Sequence, residues 1–317
     1  EKGGKSTLVY ALVRALLDGD PFLGQATAKT GVVLLSEESD ATVADKLRRF
    51  GLADEEGRLS MVTRSAVRGR PDLATVVAAA VAEARRIGAK LLVVDTLTHW
   101  GQLPGDDENH AGAAQEVMRP LLDAASQGLA VLVVHHVSKA TGELRGSTAI
   151  AASADIIVTL HRENEAPSRR RLEVVGRYAE TPGSVLIELQ GDDYVLLGTP
   201  SAVAADKVEE VVLEALPTEG DGLTIDEVVQ RTGAERRRVG EALGRLLQRG
   251  EVERTGAGKR GSPYRFCRNS ILPLTKSISP AKTAYSRAGA AADEEPLWAE
   301  RLAQADAEAW DEEAAVL

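Results

Sequence analysis

The 317-residue sequence holds one cysteine, Cys267, two methionines and only 3% aromatic residues. A lone cysteine excludes an internal disulfide framework and an all-cysteine zinc site. With so few aromatics, the core has to be built from Leu, Val, Ile and Ala. No apolar run approaches the roughly 20 residues of a membrane-spanning helix. No secretory leader pattern opens the sequence. The expectation is therefore a cytoplasmic protein with no membrane partner. Internal repeats are also lacking.

What is present is globular in composition, with 44% hydrophobic and 27% charged residues. The length fits about two domains. The net charge of −10 is uneven: residues 223–269 carry 11 basic and 6 acidic side chains, whereas 270–317 carry 4 and 9. A short basic segment in an acidic chain points to a localised polyanion site. A solvated helix face is the plainer explanation of the same numbers.

The first two-thirds of the chain alternates strand and helix patterns. Helices are expected over 8–17, 41–50, 73–87 and 110–127. Strands are expected over 31–35, 90–95, 129–134 and 155–160, and a hairpin over 171–176 and 184–189. Continuous apolar strands between helices predict an α/β fold with a mostly parallel sheet covered on both faces. The pattern changes near Gly198. Residues 206–268 then read helix, helix, helix, hairpin. After Asn269 the sequence turns Ser/Pro/Ala-rich and then acidic, which predicts disorder over 270–292 and at most a short helix over 295–314.

The opening Glu1-Lys2-Gly3-Gly4-Lys5-Ser6-Thr7 fits the end of a phosphate-binding loop, G-x-x-x-x-G-K-S/T. The first glycine of that motif is expected just before Glu1, so the sequence reads as beginning inside the loop. Glycines let backbone N–H groups wrap phosphates, and the following helix adds positive potential. Lys5 is the candidate for the β- and γ-phosphates of ATP, and Ser6 for Mg²⁺. A flexible Gly-Gly turn is the competing explanation. Asp95 ends an apolar strand 90 residues after Lys5, where an acid can hold Mg²⁺ through water. One further strand is expected between them. Glu37 and Glu38 follow strand 31–35, where a carboxylate can polarise an attacking water; either can equally serve the N-terminus of the next helix. His135 and His136 end strand 129–134 and are candidates for contact with a γ-phosphate or its water. His99, His110 and His161 are scattered and form no metal spacing with them.

These segments together resemble the RepA-like, AAA-type P-loop ATPases of the RecA/DnaB superfamily, which include hexameric replicative helicases of plasmids and phages. The resemblance runs from residue 1 to about 197, through Gly4–Thr7, Asp20–Gly24, Val32–Glu38, Val93–Leu97, Asp107–Asn109, His135–Lys139 and Arg145–Ser147. It implies a RecA-like core over 1–199 in which Gly3, Gly4, Lys5, Ser6 and Thr7 bind the nucleotide and Ser6 and Asp95 hold Mg²⁺. It implies Glu38, in preference to Glu37, as the catalytic carboxylate, and His136 as the sensor. Lys139 and Arg145 match the stretch beside the sensor. Arg177, in Val-Val-Gly-Arg-Tyr, matches a finger that reaches a neighbouring subunit's ATP, with Arg145 as second choice. Where relatives keep Lys two residues before that Arg, this sequence has Val175, so the pattern is half kept. A ring-shaped homo-oligomer, six-membered in the helicases of that superfamily, is what the same resemblance implies.

Residues 200–269 resemble winged helix-turn-helix DNA-binding domains. Thr224–Gly233 reads as a capped helix and turn, and Ala234–Arg249 as the helix that enters a major groove. Arg236, Arg237, Arg238 and Arg245 lie on that helix; Lys259 and Arg260 lie at the wing tip. Phosphate contact is the commoner use of such arginines. A protein-interaction module is the competing reading. In the acidic tail, 270–317, Trp298, Leu302 and Trp310 are candidates for a protein partner. Three functions stay open at this level: an ATP-driven DNA motor, a non-motor regulatory ATPase, and a DNA-binding regulator relying on the winged helix alone.

Overall fold

The computed structural model describes residues 4–52, 57–103, 110–136, 148–164 and 166–269. Its centre is a four-stranded sheet made of β1 (Gly31–Ser36), β2 (Leu59–Thr63), β3 (Ala89–Asp95) and β4 (Ala130–Val134), in the order β2-β1-β3-β4. All three pairings are parallel. Side chains alternate along a strand, so each strand feeds two cores. Val33, Leu35, Leu92 and Val94 pack with helices α3 (Leu73–Ile87) and α5 (Ala111–Ser126). Val32, Leu34, Leu91 and Val93 pack with α1 (Lys5–Asp18) and with Phe50 at the end of α2 (Asp40–Phe50). Every residue of β1 is buried. Such two-sided burial explains why β1 and β3 read as unbroken apolar runs. The protein therefore has the α/β fold with a parallel sheet that the sequence pattern predicts.

The expected order needs one correction. Two strands, β1 and β2, lie between Lys5 and Asp95. The sequence of β2, Leu-Ser-Met-Val-Thr, is short and places Ser60 and Thr63 at buried positions, so its period-2 signal is masked by polar residues. The register then sets the site. Ser36 pairs with Asp95, and Asp95 with Val134, so β1, β3 and β4 end at one rim. Ligands of open α/β sheets bind at such carboxyl ends.

Beyond the parallel sheet, α6 (Thr148–Ser153) packs Ile150 into the core with α3 and α5. Strands β5 (Ile156–Arg162) and β6 (Arg169–Gly176) then pair antiparallel. Strands β7 (Ser184–Gln190) and β8 (Asp193–Gly198) follow, and the division between two compact units passes through both. Among the described residues, the first unit holds those up to Gly183 with Glu188–Val195, and the second holds Ser184–Ile187 and 196–269.

The second unit contains α7 (Pro200–Ala215), α8 (Ile225–Thr232), α9 (Arg236–Gln248) and the antiparallel pair β9 (Val252–Thr255) and β10 (Arg265–Arg268). Local signals fix these helices. Thr199 caps α7 by accepting from Ala202 N–H, with Pro200 at the first position. Thr224 and Glu227 form a reciprocal capping box at α8, and Gly233 ends it in a left-handed conformation. Val212, Val228, Val239, Leu243, Leu246 and Phe266 make the core. One buried carboxylate joins them: Glu209 of α7 pairs with Arg245 of α9 and with Arg249. Among the described residues, no helix is long and apolar enough to cross a membrane.

Candidate nucleotide-binding site

Helix α1 begins at the rim where the parallel strands end. Gly4 precedes it at φ 95°, a conformation that glycine adopts without strain, and no side chain caps this end. The helix therefore presents backbone N–H groups and the positive end of its dipole. Lys5 turns back across the rim. Its Nζ donates to the His135 carbonyl at 2.7 Å and lies 3.1 Å from His136 Nδ1. Ser6 Oγ donates to Asp95 Oδ2 at 3.3 Å. Loop, helix and strand ends thus bring an ammonium, a hydroxyl and a carboxylate together from residues 5, 6 and 95.

Electrostatics mark the site as unbalanced. Burial pushes the Lys5 ammonium below its ordinary pKa, while the charges of Asp95 and Glu37 pull it back up. Burial pushes the Asp95 carboxyl up; Glu37 adds to this, and the Ser6 hydrogen bond opposes it. Two carboxylates in one half-buried place repel each other and favour an added cation. A hydroxyl and a carboxylate are the oxygen ligands that Mg²⁺ takes alongside phosphate and water. The residues present therefore fit a magnesium–nucleotide complex. Among the described residues, no cluster of three His, Cys, Asp or Glu forms a separate metal cage.

The two adjacent glutamates separate cleanly. Glu37 N–H donates to the Asp95 carbonyl at 2.7 Å, continuing the β1–β3 ladder by one residue. Its Oε2 accepts from Thr96 Oγ1 at 2.6 Å and lies 3.9 Å from His99 Nδ1. Glu38 instead forms an ion pair with Lys46 of α2. Lys46 also lies over the ring of Tyr10, 5.1 Å from its centroid, and Tyr10 stacks on Phe50. Burial, then the charge of Glu38, pushes the Tyr10 hydroxyl far above its usual range. Glu37 thus lies beside Asp95, whereas Glu38 is turned to Lys46.

The remaining candidates fall in several places. Thr7 occupies the first turn of α1 and is half-buried. His136 is exposed beside Lys5. Arg177 follows β6; its guanidinium contacts Asp155 at 3.0 Å and the Ala152 carbonyl at 2.8 Å. Gly3, Lys139, Arg145, the Asp107–Asn109 segment and the tail with Trp298, Leu302 and Trp310 lie outside the described residues. In the second unit, Arg236 pairs with Asp226, and Arg237 with Glu241 at 2.8 Å. Arg238 lies 3.6 Å from Glu235. Lys259 and Arg260 are exposed on the turn between β9 and β10. There Gly258 sits against the Tyr264 ring, and Arg254 lies 4.2 Å from that ring's centroid.

Sequence reasoning missed Lys46, Tyr194 and Glu209. Lys46 carried a signal, since it lies two helical turns after Glu38. Glu209 carried another, since it shares a face with Val212 and Leu216 and an acid on a core stripe needs a partner. Tyr194 had none, because its neighbour in space is 190 residues away in sequence.

No curated protein matches the chain. Among solved structures, a KaiC-like protein from the hyperthermophilic archaeon Pyrococcus horikoshii matches with a TM-score of 0.44 and 16% identity, covering 61% of this chain and 84% of that one. Residues 1–142 match the family model of the AAA domain, and this match, on the segment that carries Lys5, Ser6, Glu37 and Asp95, supports a P-loop ATPase of the AAA type.

Proposed function

We propose that the protein hydrolyses ATP with Mg²⁺ and couples hydrolysis to DNA, as a RepA-like replication ATPase or helicase of a mobile element. The observation that carries the ATPase part is the convergence of Lys5, Ser6, Glu37 and Asp95 at the N-terminus of α1. When bound, the magnesium nucleotide supplies the phosphoanhydride bond and the positive charge over its oxygens. Gly4 and the first turn of α1 bind phosphate oxygens through backbone N–H groups. Lys5 would neutralise the β- and γ-phosphates, and Ser6 and Asp95 would hold the metal. Glu37 orients a water and accepts its proton at Oε2, steadied by the Thr96 hydroxyl. His136, next to Lys5, is the sensor of the γ-phosphate. Glu38 stays with Lys46.

Arg177 is the finger offered to a neighbouring copy in a ring-shaped homo-oligomer. Its partners Asp155 and Ala152 keep it at the surface, with its side chain 61% exposed. Arg145 is the second choice. The second unit acts as a winged helix on DNA, with Arg236, Arg237 and Arg238 opening α9 and Lys259 and Arg260 on the wing. Arg245 contributes to the fold of that unit through Glu209 instead of to the DNA face.

The test is ATP hydrolysis with and without single-stranded DNA, using Lys5→Ala as control. Turnover that requires Lys5 and rises several-fold with DNA is expected, followed by strand separation in an unwinding assay. Turnover indifferent to DNA would favour the second reading, a regulatory ATPase that switches DNA or partner binding; the ion-paired arginines of α9 favour that reading. No turnover at any concentration would leave the winged helix as the functional part.

A further inference from the structure

Gly4 faces a group that the proposed mechanism does not use. A β-carbon built on Gly4 would lie 2.7 Å from Tyr194 Oη, 3.5 Å from Arg170 Nε and 3.8 Å from Leu160 Cδ2. Tyr194 belongs to β8, and only 6% of its surface is exposed. Its hydroxyl is buried and, among the described residues, has no hydrogen-bond partner. Burying an unpaired hydroxyl costs about 1–3 kcal/mol, and native proteins seldom leave one so. A phenylalanine would fill the same volume without that cost. The hydroxyl is also surrounded by positive charge. Burial raises its pKa, and the charges of Arg170 and Arg162 pull it partly back. Arg170 is itself buried, and its Nη1 donates to the Pro167 and Arg169 carbonyls at 2.5 and 2.7 Å. Hydroxyl, guanidinium and the uncapped end of α1 therefore meet at one glycine.

We infer that Tyr194 donates a hydrogen bond to a phosphate oxygen of the bound nucleotide at the face of Gly4, with Arg170 holding the ring in place and adding positive potential. The ligand class is a polyphosphate, and the contact is to phosphate, not to the base. The inference rests on the nucleotide reading of the loop. It adds the end of the second set of strands to a site otherwise built from α1 and the parallel sheet. The small size of residue 4 then has two reasons: the left-handed turn, and the approach of Tyr194.

The test uses the whole chain with Tyr194→Phe, Lys5→Ala and the unaltered protein. Binding of a fluorescent ADP is measured directly, inorganic pyrophosphate is measured by competition, and thermal melts are taken without ligand. Tyr194→Phe is expected to melt no lower than the unaltered protein, because no hydrogen bond is lost. It is expected to bind both ADP and pyrophosphate about 10-fold more weakly, as loss of a hydrogen bond to a charged group implies. Unchanged affinity in Tyr194→Phe while Lys5→Ala loses binding would overturn the inference alone. A loss seen with ADP but not with pyrophosphate would place the contact on the nucleoside and overturn it too, as would a lower ligand-free melting temperature. Undiminished binding by Lys5→Ala, or none by the unaltered chain, would remove the phosphate-loop reading and this inference with it.

Discussion

The rim of the parallel sheet and the second compact unit are both rich in charge, and they use it in opposite ways. At the rim, like charges sit together: Glu37 adds to the cost of charging the buried Asp95, and Lys5 lends its ammonium to a backbone carbonyl. In the second unit the charges close on one another. Glu209 lies between Arg245 and Arg249, Arg236 meets Asp226, and Arg237 meets Glu241. Charge left unsettled at the rim is available to a ligand, whereas charge paired within the second unit is already engaged, deeply at Glu209 and at the surface elsewhere.

Breaking the rim should have the largest effect. Lys5→Ala or Asp95→Asn should cut ATP turnover by at least about 10²–10³-fold, the scale of a lost electrostatic contact in a transition state, while the thermal melt stays close to that of the unaltered protein. Next comes the choice between neighbouring acids. Glu37→Gln should lower kcat by about 10²–10⁴-fold with little change in KM, as removal of a general base does. Glu38→Gln should leave kcat within roughly threefold, since that carboxylate is held by Lys46. Equal losses from the two would erase the distinction between them.

In the second unit, stability is the readout. Glu209→Gln should lose roughly 2–3 kcal/mol, below the ~3–5 of a fully buried pair because both arginines are partly exposed. The smallest effect is expected from Asp226→Asn, about 0.5 kcal/mol or less, because its pair with Arg236 lies in water. Acid should reproduce the first of these. Burial pushes the Glu209 carboxyl up, but hydrogen bonds from Arg249 and Arg245 outweigh it and hold it below the ordinary value of 4.5. Its stabilisation is then complete above that value and is lost as pH falls through the lowered folded-state pKa. Melts of the unaltered protein from pH 7 to pH 3 should converge on those of Glu209→Gln at the acid end. A constant gap would show that the carboxylate's charge does not matter.

Much of this was legible in the residues. The unbroken runs Val32–Leu35 and Leu91–Val94 signal strands buried on both faces, and Thr224 with Glu227 marks a helix start. Adjacent glutamates were harder. Spacing along the chain brings both to the end of β1, but the hydrogen bond of Glu37 to β3 decides which one stays at the rim. The role of Arg245 was hidden for a related reason. Helical spacing puts it on a helix, and only the packing of α7 on α9 shows that it faces Glu209. Strand β2 was hidden by its own serine and threonine.

The ion pairs of the second unit have a further consequence for how a polyanion would feel the salt around it. Binding to DNA releases about 0.9 counterion for each phosphate neutralised, so the slope of affinity against salt counts usable cations. Arg245 and Arg249 are already engaged from within, by Glu209, which lies outside the basic segment that the sequence counts, and by Glu251. The slope would then fall short of what the 11 basic residues of 223–269 could supply, with exposed Arg254, Lys259 and Arg260 counting directly and Arg236, Arg237 and Arg238 only as their surface ion pairs open.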